Sequence, residues 1–133
     1  MTAPGLTTRP SKRGPQDTMN RLEAAVKAGG MMIFARIDHA AGADGVGLSL
    51  LPTELLIFGH ARAGTPLMQA APTIAIDLPL KAIVWQDPAG QTWLSYNDPA
   101  WLATRHGLDA TTDAVIAQMS RVLDETAKAA TED

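Results

Sequence analysis

Four side chains carry the chemistry this sequence offers most directly: Arg36, Asp38, His39 and Lys81. Asp38 and His39 are neighbours, and a carboxylate that orients an imidazole suits general acid–base work near neutral pH. Adjacent residues on a strand point to opposite faces, so the pair serves one site only if the strand ends there. Ala40-Ala41-Gly42 follows at once and permits that ending. The competing reading makes Asp38 a cap and His39 a half-buried residue at a strand terminus. Arg36 and Lys81 each interrupt an apolar strand, where a charge needs water, a partner or an anion. On one sheet face with Asp38 they would form a small polar island suited to a carboxylate or phosphate ligand. The alternative for them is a salt bridge with Asp38, Glu54 or Asp77, within the chain or between subunits.

A second constellation runs from Gly59 to Thr65. A glycine-bracketed loop that opens a helix offers free backbone N–H groups, and Arg62 adds an anion contact. The Gly-Lys-Ser/Thr ending of a phosphate loop is absent, and such a loop also serves as a plain connector. No two of His39, His60 and His106 have the short helical spacing of metal ligands, so no protein-bound metal is expected. Met119 reads as core and Met31-Met32 as strand filler, which leaves little for a haem held by His and Met. No cofactor is therefore assigned. Trp85, Trp93, Trp101 and Tyr96 read as core and interface packing, with an aromatic ligand wall as the other use of the same residues.

Composition bounds the function classes. The 133 residues fit one domain, with 46% hydrophobic and 19% charged side chains, as expected of a folded globular chain. A net charge of −3 argues against nucleic-acid binding driven by phosphate neutralisation, and the cluster Arg9, Lys12, Arg13 beside two prolines is a poor footprint. The absence of cysteine removes disulfides, thiolate nucleophiles and iron–sulfur ligation. No run reaches the length of a membrane span and the N-terminus lacks a secretory core, so a cytoplasmic protein without a membrane partner is expected.

The elements that must position these residues follow from periodicity and punctuation. Leu6–Arg9 is β-prone, and Pro10 limits it to an edge or an end. Met19, Leu22 and Val26 predict a helix from Pro15, stopped by Gly29-Gly30. Residues 31–39 alternate, with Ile33, Ala35 and Ile37 on one face and Met32, Phe34 and Arg36 on the other. Ala40–Gly47 reads as a loop or one broken helical turn, and Glu54–Phe58 as a strand. Thr65-Pro66 predicts the start of a short helix over Pro66–Ala71. Leu80–Trp85 and Gln91–Tyr96 flank Asp87-Pro88-Ala89-Gly90, which predicts a hairpin. Asp98-Pro99 opens a helical turn, and Val115, Ile116, Met119, Val122 and Leu123 stripe a last helix from about Asp113 to Ala129. The order gives an α+β domain with a mostly antiparallel sheet of about five strands and helices on one face. The strands are apolar on both faces, so the second face needs a second copy of the chain or a ligand cleft.

The segments Phe34-Ala-Arg-Ile-Asp-His-Ala-Ala-Gly-Ala43, Pro52-Thr-Glu-Leu-Leu-Ile-Phe-Gly59, Gly64-Thr-Pro-Leu-Met-Gln-Ala-Ala-Pro72, Asp77-Leu-Pro-Leu-Lys-Ala82 and Trp93-Leu-Ser-Tyr-Asn-Asp-Pro99 resemble the family catalogued as domain of unknown function 302. The resemblance spans about residues 6–107 and leaves the helix of 108–133 as an extension. It implies a TATA-binding-protein-like fold, β-α-β(4)-α, often paired as a homodimer, and no DNA-binding role. It brings no reaction and no catalytic residues. Where many members carry asparagine after Phe-Gly, this chain has His60.

These observations lead to one expectation and one alternative. The expectation is a cytoplasmic homodimeric binding or accessory module, with a small-molecule or anion pocket near Arg36, Asp38, His39 and Lys81. The alternative is a small metal-independent enzyme that uses His39 as acid or base, Asp38 as its orienter, and Lys81 or Arg36 to support an oxyanion.

Overall fold

The computed structural model describes residues 3–132. Five strands form one antiparallel sheet: β1 (Leu6–Pro10), β2 (Met32–Asp38), β3 (Thr53–Gly59), β4 (Leu80–Gln86) and β5 (Thr92–Asn97), in the order β1-β5-β4-β3-β2. β1 and β2 are therefore the two edges. The β4–β5 hairpin closes as its residue types require. Asp87 accepts from the N–H groups of Ala89 and Gln91, and Gly90 takes the positive φ of +90°. The indole of Trp93 also donates to Asp87, which with these backbone bonds holds that carboxyl below its usual range.

Two helices cover one face. In α1 (Pro15–Ala28), Met19, Leu22 and Val26 are fully buried at helical spacing. In α5 (Asp113–Thr131), Ile116, Met119, Leu123, Ala127 and Ala130 form the matching stripe. They meet the strand residues of one parity, Leu56, Phe58, Leu80, Ala82, Val84, Leu94 and Tyr96, and together make the core. The last helix, expected as an extension of the shared pattern, thus supplies half of the covering layer. Arg9 on β1 reaches Glu132 at 2.9 Å and Asp124 at 3.8 Å, which ties the end of α5 to the sheet edge.

Strand residues of the other parity, Leu55, Ile57, Ile83, Trp85 and Trp93, point away from this core and stay partly exposed. Trp85 and Trp93 stack there with ring centroids 6.1 Å apart. Ser95, buried between them and β1, accepts from the Trp85 indole and shares a hydrogen bond with Thr8.

Two local expectations are corrected, and the stretch read as a loop or one broken helical turn is resolved as a short helix. The alternation predicted for residues 31–39 breaks at Phe34, where a bulge inserts an extra residue between Ile33↔Phe58 and Ala35↔Ile57. Ile33 therefore shares the covered face with Arg36, while Met32, Ala35 and Ile37 share the other. The helix placed at Pro66–Ala71 is α3 (Ala61–Ala70), capped by His60, with Pro66 inside it. Thr65 is not the cap, because the helix already starts at Ala61, where the His60 imidazole accepts from the Arg62 N–H. Residues 39–44 form α2 (His39–Asp44), a single short helix.

Candidate functional site

The strand β2 delivers Arg36 and Asp38 to the covered face. Arg36 donates to Glu54 at 2.6 Å across the β2–β3 pair, to Asn20 on α1 at 2.9 Å, and lies 3.8 Å from Glu23. The Glu54 hydrogen bond fixes the guanidinium still more firmly in its charged form. Asp38 ends the strand and caps α2, accepting from the Ala41 N–H at 2.9 Å. His39 is the first residue of that helix and is exposed. Lys81 pairs with Ile57 and so points from the opposite face, where its Nζ donates to the Pro79 carbonyl at 3.3 Å. The four residues singled out from the sequence do not converge. Sheet parity separates Lys81 from Arg36 and Asp38, His39 lies beyond the strand on α2, and no hydrogen bond joins Asp38 to His39 among the described residues. A hollow of ≈ 300 Å³ does touch Asp38, but Glu54 lines it as well, and two carboxylates disfavour an anion.

The larger cavity lies elsewhere. It is ≈ 400 Å³, within the range that holds small organic ligands. It opens between the end of α1, the start of α3 and the middle of α5. Its walls are Met31, Phe34, Met68, Leu78, Leu80, Met119 and Val122, with Gly59, Ala63 and Gly64 leaving room between them. The β2 bulge explains why Phe34, 54% exposed, lines this space instead of following strand alternation. The polar side chains in its lining are His60, Thr65 and Gln118.

Gly64 bears on why the cavity exists. A glycine inside a helix costs about 0.5–1 kcal/mol relative to alanine. Yet a Cβ on Gly64 would meet only the side chains of Leu78 and Met68, each at 3.7 Å, which is ordinary contact. Packing does not require the missing methyl. Gly64 itself lines the cavity, so a larger side chain there would enter that space.

His60 stands where β3 turns into α3. Its Nδ1 accepts from the Arg62 N–H at 3.1 Å, so a neutral ring carries its proton on Nε2. Arg62 sits in the first turn of α3. Every other arginine has a partner in the fold: Arg9, Arg13, Arg36 and Arg105 bind carboxylates, Arg21 a carbonyl, and Arg121 the Gln118 amide. Among the described residues, the Arg62 guanidinium has none.

A third cluster joins residues far apart in sequence. His106, with its side chain only 7% exposed, bonds Asp77 through Nε2 at 2.5 Å and Thr73 through Nδ1 at 2.9 Å. Arg105 adds a 2.6 Å bond to the same Asp77 oxygen. Burial raises the Asp77 carboxyl, but the bonds from His106 and Arg105 outweigh it and hold it below the usual range. This clamp fastens the end of α4 (Pro99–Arg105) to the segment leading into Leu78, a wall of the cavity. Spacing alone could not have found it, since 29 residues separate the partners. No group of three or more metal-binding side chains occurs among the described residues.

Sequence pattern and fold point to one family. The sequence pattern of the domain of unknown function DUF302 matches residues 7–126, which takes in most of α5. The fold is similar to the crystal structure of an uncharacterized conserved DUF302 protein from Bacillus stearothermophilus. The TM-score is 0.84 at 19% identity, covering 96% of this chain and 99% of that one. The chain is also 49% identical over 115 residues to proteins named fluoride-specific ion channel FluC 1 in Brucella suis biovar 1 and Brucella abortus biovar 1. The shared stretch is 86% of this chain but 45% and 43% of those proteins, so the chain spans less than half the length of these relatives. No helix among the described residues is long and apolar enough to cross a membrane. On the extent of the pattern and the match in fold, the chain belongs to the DUF302 family.

Proposed function

We propose that the chain is a homodimeric accessory module that holds a small apolar molecule in the cavity beneath α3. One observation carries this reading: a ≈ 400 Å³ space walled by methionines and aliphatic side chains, beside a helix glycine that packing does not require. This moves the site away from Arg36, Asp38, His39 and Lys81, whose charges are separated or already engaged. The acid–base alternative at His39 draws no support from that arrangement.

Pairing of two copies is supported by the second sheet face. Met32 is 64% and Ile37 39% exposed there, beside the partly exposed Leu55, Ile57, Trp85 and Trp93. A second reading concerns the partner. In the Brucella relatives a similar stretch forms under half of proteins named as fluoride-specific ion channels, which supports an accessory role beside a membrane protein.

Native mass spectrometry on gently purified protein tests the reading. A dimer carrying a discrete small-molecule mass that Gly64→Leu abolishes is the expected result. A monomer at micromolar concentration would overturn the dimer. An adduct retained by Gly64→Leu would overturn the site. For the second reading, fluoride flux through a Brucella relative should change when the shared stretch is deleted; unchanged flux removes the accessory role.

A further inference from the structure

We propose that the cavity selects molecules with a hydrocarbon body and an anionic carboxylate head, recognised by His60 and Arg62. The inference rests on the cavity being a ligand site and adds the chemistry of its ligand. The walls admit a body of carbon and hydrogen, since Met31, Met68, Leu78, Met119 and Val122 offer no hydrogen bonds of consequence. The head must meet one of the polar side chains of the lining, His60, Thr65 or Gln118, and of these His60 has its donor fixed by the fold. The Arg62 N–H occupies Nδ1 of His60 as its donor, so the neutral ring presents Nε2–H.

Charge points the same way. No acidic residue lines the cavity. Arg62 lies just outside the lining, between Ala61 and Ala63 that belong to it, and has no side-chain partner among the described residues, whereas every other arginine is engaged. It stands in the first turn of the ten-residue helix α3, where the backbone adds partial positive charge. An ammonium head would meet repulsion, and an alcohol head would use only the neutral bond. A carboxylate gains a charge-assisted hydrogen bond from His60 at the lining and the attraction of the Arg62 charge beside it.

The test is calorimetric titration at pH 7 with octanoate, 1-octanol and octylamine, which share one hydrocarbon body. Octanoate should bind at least tenfold more tightly than octylamine. Arg62→Gln and His60→Leu should each weaken octanoate by about tenfold while leaving 1-octanol within about twofold. Arg62 is exposed and its variant keeps the fold, so a folding failure at His60 does not leave the question open. Octylamine binding as tightly as octanoate, or unchanged octanoate affinity in Arg62→Gln, overturns the head-group assignment. If 1-octanol and octanoate bind equally and Gly64→Leu blocks both, the cavity stands and the head-group inference falls. If none of the three binds, both fall.

Discussion

Replacing Gly64 by alanine adds one methyl group to the wall of the cavity and tests whether space there was kept at the expense of stability. The helix term favours alanine by about 0.5–1 kcal/mol, because glycine loses more backbone freedom on folding. The new Cβ would lie 3.7 Å from both Leu78 Cδ1 and Met68 Cε, a distance that gains contact without strain. Burying it adds up to about 0.8 kcal/mol. The sum is a stabilisation of about 0.5–1.8 kcal/mol, or roughly 2–7 °C in Tm for a chain of this size. Urea unfolding with an unchanged slope would measure it, and thermal melting would confirm the sign. The same variant should bind 1-octanol more weakly, since the methyl occupies ligand space. A fall in stability would refute the reasoning, because it would mean that packing of α3 on Leu78 demands the glycine.

Three other perturbations have distinct expected outcomes. Asp77→Asn should destabilise the fold by about 1.5–3 kcal/mol by weakening the bonds from Arg105 and His106. Since the folded carboxyl lies below its unfolded value, Asp77 stabilises above the usual aspartate range, and that contribution is lost as pH falls through the lowered folded value. The variant should therefore show a flatter acid limb in unfolding measured against pH; an unchanged limb would contradict the clamp. Arg36→Ala should cost about 1–3 kcal/mol by leaving Glu54 without its partner, whereas Lys81→Met should stay within about 0.5 kcal/mol, both by chemical denaturation. Equal losses at the two positions would contradict their placement on opposite faces. Ile37→Glu, on the exposed sheet face, should shift a dimer to monomer in light scattering without lowering Tm by more than a few degrees, and an unaffected dimer would move the interface elsewhere.

What the sequence made legible was the part governed by local rules. The Asp87–Gly90 turn, the Asp98-Pro99 helix start and the stripes of α1 and α5 depend on residues a few positions apart. Both faces of β3 and β4 read as apolar because both are, and the parity of Leu56 and Leu55 then decides which side meets the helices. The bulge at Phe34 escaped because one inserted residue cannot be seen in a two-residue period until the partner strand is known. That slip also fixed the side of Arg36 and so dissolved the polar island. The His60 cap of α3 was hidden behind the stronger Thr65-Pro66 signal. The cavity itself was illegible, since its walls come from β2, β3, β4, α3 and α5 and the turn after α1, and no pattern within any one of them marks a void.

The central claim is that a small apolar molecule occupies the cavity beneath α3, and its own methionines report on it. With the methionine ε-methyl groups carbon-13 labelled, 1-octanol titrated into the protein should shift the resonances of Met31, Met68 and Met119, which line the space. Met19, buried in the core under α1, and Met32, on the other sheet face, should hold still. Gly64→Leu should abolish the three shifts. Octanol that leaves Met31, Met68 and Met119 unmoved, or moves Met32 instead, would contradict the account and place apolar binding on the exposed sheet face.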